Sequence, residues 1–295
     1  MKFTNVRVMN FDNAFRGMRN PKNSWHLSDS AFGMGSQEYC EADVDVVEEW
    51  IDFLGIDRAN PKRRDNAFEK IDNWLLNNGI LHSDNNCIEY AFLGPSDLKL
   101  AQQLISGGSE HRKFLRQIFV SVDITAPLYW WKEFDTYKVG TTANSTSTMH
   151  KITAKPITLD CFEIDDYQEF CTFLPDFLGE EGLSADDCES MIVRFIDFLE
   201  GLRLKYLETR KYRYWKELIR WLPESWLQTR TVTMNYENIL SMLHQRKFHK
   251  LDEWSGDEDY EFESFVKFAR ELPYANLLLV LEEYNCDEFP VIDFL

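Results

Sequence analysis

The chain has 295 residues, 44% hydrophobic and 15% aromatic, enough for one large core or two modest ones and too apolar for disorder over most of its length. A formal net charge of −18 argues against duplex DNA or RNA as a partner. No apolar run approaches the roughly 20 residues that span a bilayer, and the first residues lack the apolar stretch of a secretory signal. The expectation is a cytoplasmic protein with no membrane contact and no nucleic acid polymer as partner.

In chain order, "FTNVRVMNF" alternates and predicts a short strand. "AFRGMRNPKNSWHLSDSAFGMGS", rich in Gly, Asn, Ser and Pro, predicts an ordered loop. Val44, Val47, Trp50, Ile51 and Leu54 fall at helical spacing, and "NAFEKIDNWLLNNG" predicts a second helix stopped near Asn78-Gly79. "GPSDLKLAQQLISGG" predicts a third, with Ser96 as N-cap, Asp97 in its first turn and Gly107-Gly108 at its end. "RQIFVSVDITAP" predicts a strand with Ile118, Val120, Val122 and Ile124 on one face. "LYWWKEFDTYK" predicts a helix, and residues 160–220 are strongly helical up to Pro223. An extended "SWLQTRTVTMN", a helix over "YENILSMLHQRKF" and further helix after Asp259 complete the chain. Many helices around a few strands predict an α+β fold with a small, mostly antiparallel sheet. We expect a single domain over residues 1–295, with helical elaborations at about 40–90 and 156–200 and an acidic helical region at 251–295.

The six cysteines (Cys40, Cys87, Cys161, Cys171, Cys188, Cys286) are scattered, with no Cys-x-x-Cys pair, so free thiols and no metal site are expected. Charge is uneven. Residues 251–295 hold thirteen acids against two bases, whereas residues 202–250 hold eleven bases against four acids. Such a basic island is either an anion site or a helix face paired with the acidic tail.

Four segments carry candidate chemistry. "SEHRKFLR" places His111, Arg112, Lys113 and Arg116 just after a helix end. These are anion donors, or else a polar turn whose arginines pair with acids. "FRGMRNPK" places Arg16, Arg19 and Lys22 in one Gly- and Pro-punctuated stretch, a phosphate cradle or a surface loop. "YKVGTTANSTSTMHK" holds six hydroxyl side chains and Asn144 between Lys138 and Lys151, donors for an oxygen-rich ligand or a loop capping its neighbours. Before it, Tyr129 or Tyr137 could stack on a planar ring, while Trp130 and Phe134 read as core. Downstream, Arg230 and Arg246 either approach one ligand or are solvated, and Asn235 starts a helix.

In their order, these last blocks resemble the flavin-dependent thymidylate synthases over residues 95–155 and 215–255. "DITAP" stands where that family's strand ends. Tyr137 and Lys138 stand in place of the signature's His and second Arg, and Thr136 in place of its first Arg. Thr141 replaces the first Ser, and Met149-His150 replaces the closing Arg-Tyr. Asn144 and Ser147 keep the signature's Asn and second Ser once one inserted residue is allowed. Leu222-Pro223 and Thr229-Arg230 are kept, Asn235 matches the flavin-contacting Asn, and Arg246 matches the arginine that contacts the nucleotide phosphate. Glu237 stands where the family has an Arg.

The resemblance implies a homotetramer with active sites shared between subunits. It implies FAD, a deoxyuridylate-type nucleotide (dUMP), a methylenetetrahydrofolate donor and NADPH, with reductive methylation as the reaction and no enzyme nucleophile. Tyr137, Lys138, Thr141 and Asn235 would then contact the cofactor, with His111 and Arg112 compensating for lost arginines. Asn144, Ser145, Ser147, Thr148, Arg230 and Arg246 would contact the nucleotide, with Arg16 and Arg19. A flavin enzyme is the leading expectation. A non-catalytic nucleotide- or phosphometabolite-binding protein on the same fold is the alternative, and a scaffold whose acidic C-terminal region binds a basic partner is a third.

Overall fold

The computed structural model describes residues 1–36, 44–84, 87–164, 185–256 and 262–279. The chain forms two compact units. One comprises Met1–Thr4, Asp123–Lys138 and Ala143–Thr231; the other comprises Asn5–Val122, Val139–Thr142 and Val232–Leu295. We call them unit 1 and unit 2.

Unit 2 begins with most of strand β1 (Lys2–Met9) and helix α1 (Phe11–Arg19). α1 lies inside the stretch expected to be loop. Phe11, Ala14, Phe15 and Met18 recur at helical spacing and are all buried, which outweighs the interruptions by Gly17 and the arginines. Strand β2 (Ala31–Ser36) follows, again where a loop was expected. Helices α2 (Val44–Phe53) and α3 (Pro61–Asn78) form as their periodicity predicts. Asn60 caps α3 by accepting the Arg63 amide, Pro61 occupies its first position, and Gly79 ends it.

Strands β3 (Ile80–Asp84) and β4 (Cys87–Phe92) then correct the expectation of a purely helical elaboration at 40–90. With β2 they make a three-stranded antiparallel sheet in the order β2-β4-β3. Gly33 faces Tyr90 in that register, and a Cβ on Gly33 would come within 2.6 Å of the Tyr90 hydroxyl. Helix α4 (Pro95–Ser106) is capped by Gly94, not Ser96, because Pro95 takes the first helical position and moves the start two residues earlier.

A second sheet runs β1-β5-β7-β6, where β5 is Phe119–Pro127, β6 is Thr142–Ser145 and β7 is Leu227–Asn235. β5 alternates as predicted: Val120, Val122, Ile124 and Ala126 are fully buried. β6 is a short exposed edge strand within the stretch read as a polar loop.

Unit 1 contains helix α5 (Leu128–Phe134), whose Trp130, Trp131 and Phe134 are buried and in mutual ring contact. The one-turn helix α6 (Thr148–Lys151) follows β6. Helices α7 (Ala185–Thr209) and α8 (Tyr212–Arg220) make a helical hairpin. Leu199 and Leu218 of this hairpin close a small core with Ile152, Ile157 and Phe162. The part of the 156–200 elaboration at 165–184 lies outside the described residues.

Unit 2 ends with helices α9 (Tyr236–Arg246), α10 (Asp252–Ser255), α11 (Phe265–Arg270) and α12 (Ala275–Leu278). Its core is aromatic: Phe11 meets Tyr236 edge-on at 5.6 Å, and Trp74 contacts Tyr274. The rest of the acidic C-terminal region, 257–261 and 280–295, falls outside the described residues. Among those described, no helix is long and apolar enough to cross a membrane.

Candidate functional site

In unit 1 the hydroxyl-rich segment is held by β7. The Thr146 amide and hydroxyl both donate to the Thr229 carbonyl, at 2.9 and 3.1 Å. Gln228 Nε2 donates to the Thr146 carbonyl and to Thr148 Oγ1. Ser147 caps α6 by accepting the His150 amide. The backbone is thereby fixed, while the side chains of Asn144 and Ser145 remain in solvent.

Arg230 reaches the same corner. Its Nε donates to Gln228 Oε1 at 3.0 Å and its Nη1 to Asp135 at 2.7 Å, and its guanidinium lies 4.1 Å over the Trp131 ring. Trp131 in turn donates to the Gln228 carbonyl. Arg230 is therefore oriented from three sides, and its Nη2 has no acceptor among the described residues. Gln228 links Thr148 to Arg230. It stands two residues before Arg230 on one strand, so it shares that face by the two-residue repeat. That repeat is the one sequence signal that finds it. Asp135, which completes the arrangement, has no local signature. Tyr137 is half-buried at the end of α5, its amide donating to the Phe134 carbonyl, and Lys138 is exposed.

In unit 2 a second set gathers at the first turn of α9. Asn235 accepts the Asn238 amide and Asn238 accepts the Asn235 amide, a reciprocal capping box. Asn238 Nδ2 also donates to the Val139 carbonyl at 2.7 Å. Gly140 (φ 80°) packs so close that a Cβ would lie 2.9 and 3.0 Å from the Asn238 and Asn235 side chains. Thr141, the next residue, is half-buried. Arg112 grips Glu237 with both ends of its fork, Nε to Oε2 at 2.8 Å and Nη2 to Oε1 at 3.1 Å. His111 packs against Gly107. Burial, together with the Arg112 and Lys247 cations, holds the His244 imidazole below its ordinary pKa, and Glu237 opposes that.

The remaining candidates of unit 2 lie apart from this set. Arg19 is buried, paired with Asp97 and donating to Ser96 Oγ. Asp97 also accepts the Ser28 and Ser30 hydroxyls. Arg16 lies over Trp25, and Arg246, at the far end of α9, lies 4.9 Å over buried Trp254.

No protein-family model matches the chain, and no curated protein does. Among solved structures, a flavin-dependent thymidylate synthase (ThyX) from Helicobacter pylori, complexed with FAD and dUMP, aligns over 94% of this chain and 98% of its own, at 13% identity and a TM-score of 0.49. A second Helicobacter pylori thymidylate synthase X structure with FAD and dUMP aligns over 88% of this chain and 100% of its own, at 14% identity and a TM-score of 0.41. Neither supplies a site residue to this chain at such identities.

Proposed function

We propose that the Arg230 corner of unit 1 binds the phosphate of a nucleotide or related phosphometabolite, and that the protein acts by binding. The arrangement at Arg230 carries this reading. Three neighbours fix the guanidinium, one N–H end stays open, and Asn144, Ser145 and Thr148 stand on backbone that is already ordered. Donors ordered before the ligand arrives cost less entropy on binding. The resemblance of this segment to the nucleotide signature makes a deoxyuridylate-type ligand the first to test.

The residues at the first turn of α9 do not fit a flavin pyrophosphate. Two negative charges there call for free cations. Instead Glu237 stands where the resemblance expects an arginine, and it neutralises Arg112.

Reductive methylation with FAD, NADPH and methylenetetrahydrofolate is the second reading. One observation favours it: Val139–Gly140 lies against the Asn235 cap, so two blocks of the resemblance meet within unit 2. Thr141, Asn235 and His111 would then contact the cofactor. Arg246, Arg16 and Arg19 would contact the nucleotide only after leaving their present partners.

A thermal-shift screen separates the two readings. Stabilisation by dUMP alone, in a colourless protein that FAD does not reconstitute, is the expected result. A yellow protein with flavin absorption would replace the first reading with the second.

A further inference from the structure

The turn between α7 and α8, in unit 1, collects positive charge that no acid among the described residues answers. From Thr209 to Lys216 the sequence is TRKYRYWK, with four bases and no acid. Arg210, Lys211, Arg213 and Lys216 are all exposed and make no ion pair among the described residues. The nearest acids are already engaged: Glu208 holds Lys205 and Glu217 holds Arg220. In a chain of net charge −18, an unpaired basic turn stands out.

Aromatic rings sit among these cations. Tyr212 is 75% exposed, so its ring faces water without a core role. Tyr206 and Trp215 flank it, at centroid distances of 6.4 and 6.3 Å. Trp215 is fixed by its hydrogen bond to the Met149 carbonyl. The Arg213 guanidinium lies 5.3 Å over the Tyr214 ring, which holds it extended along the surface. On α8, Arg213, Lys216 and Arg220 follow at steps of three and four, so they form one stripe, while Leu218 is buried with the core. Left-handed Arg210 (φ 55°) makes the tight turn that brings Lys211 and Tyr212 to the head of this stripe.

We infer that this turn is a binding surface for single-stranded nucleic acid, with the cations on phosphates and Tyr212 stacked on an unpaired base. Stacking favours a single strand over a duplex, whose bases are already stacked, and over an acidic peptide, which offers no flat rings. The overall negative charge opposes attraction only at long range. Within about 10 Å, the screening distance near 0.1 M salt, the local cations dominate. The inference is independent of the Arg230 reading, since it uses none of those side chains.

Fluorescence anisotropy of the full chain with a labelled oligothymidylate of about twelve nucleotides tests it. The expected result is binding that weakens as salt rises and exceeds binding to a duplex of equal length. Tyr212→Ala should weaken it about ten-fold by removing one stacked base. Arg213→Glu with Lys216→Glu should lower the slope of log affinity against log salt by about 1.4, the share of two phosphate contacts. Because all three side chains are exposed, circular dichroism melts of the variants should match the parent. Overturning results are no binding at low salt, equal or better binding to the duplex or to anionic vesicles, or variants that bind as the parent does.

Discussion

Five arginines singled out by the sequence are held in different ways. Arg19 is internal. It is buried with Asp97, which is fully buried and also accepts two serine hydroxyls. Removing one partner leaves an unanswered charge, so Asp97→Ala should cost about 3–5 kcal/mol in urea unfolding. Arg112 is held by Glu237, Arg16 and Arg246 lie over indole rings, and Arg230 combines an orientation fixed from three sides with an open N–H end. Local sequence offered all five as anion donors, each beside a plainer reading as a surface or acid-paired arginine. It did not announce their partners, because Asp97 and Glu237 lie 78 and 125 residues from the arginines they hold.

His244 belongs to the same scale. Its imidazole is held below its ordinary pKa of 6.5, chiefly by burial and then by Arg112 and Lys247. The unfolded chain therefore takes up this proton first as pH falls, and the folded state loses stability below about pH 6.5. His244→Gln should flatten the fall in urea midpoint between about pH 7 and about pH 5. An unchanged slope would assign the acid sensitivity to other groups.

At the scale of elements, legibility followed locality. β5 and α9 were read correctly, since alternation and an Asn start are signals carried within a dozen residues. α1 was missed because Gly17 and two arginines dilute its apolar stripe. β2 was missed because its partner strand lies more than fifty residues away, and the Gly33–Tyr90 pairing that makes its glycines acceptable is visible only in the register. β6 was missed because an exposed edge strand has no buried face to announce it. The junction of Val139–Gly140 with the α9 cap also joins elements distant in sequence. Gly140→Ala should destabilise by about 1–2 kcal/mol, because its left-handed conformation disfavours a Cβ and the asparagine side chains leave no room for one. Asn235→Ala should cost about 1 kcal/mol by removing the cap. Both are checked by equilibrium urea melts, and a neutral Gly140→Ala would mean that the loop is not held there.

For the whole molecule, composition and element pattern indicated the α+β class correctly. They did not indicate two compact units or a second, three-stranded sheet. The candidate site was legible in part. The hydroxyl segment and Arg230 stood out by residue type, whereas Gln228, Asp135 and Trp131, which orient Arg230, did not. Their roles depend on how β7, α5 and the segment after β6 pack within unit 1, and residue types along the chain do not encode that packing. The proposed binding function relies on geometry built by neighbours that no motif contains.

The most direct test is a calorimetric titration of the purified chain with dUMP, with Arg230→Ala alongside. Saturable binding to the parent protein is expected, weakened by about 1.5–3 kcal/mol in the variant, the worth of a charge-assisted hydrogen bond. Equal affinity in parent and variant, or no binding to a folded parent, would contradict it.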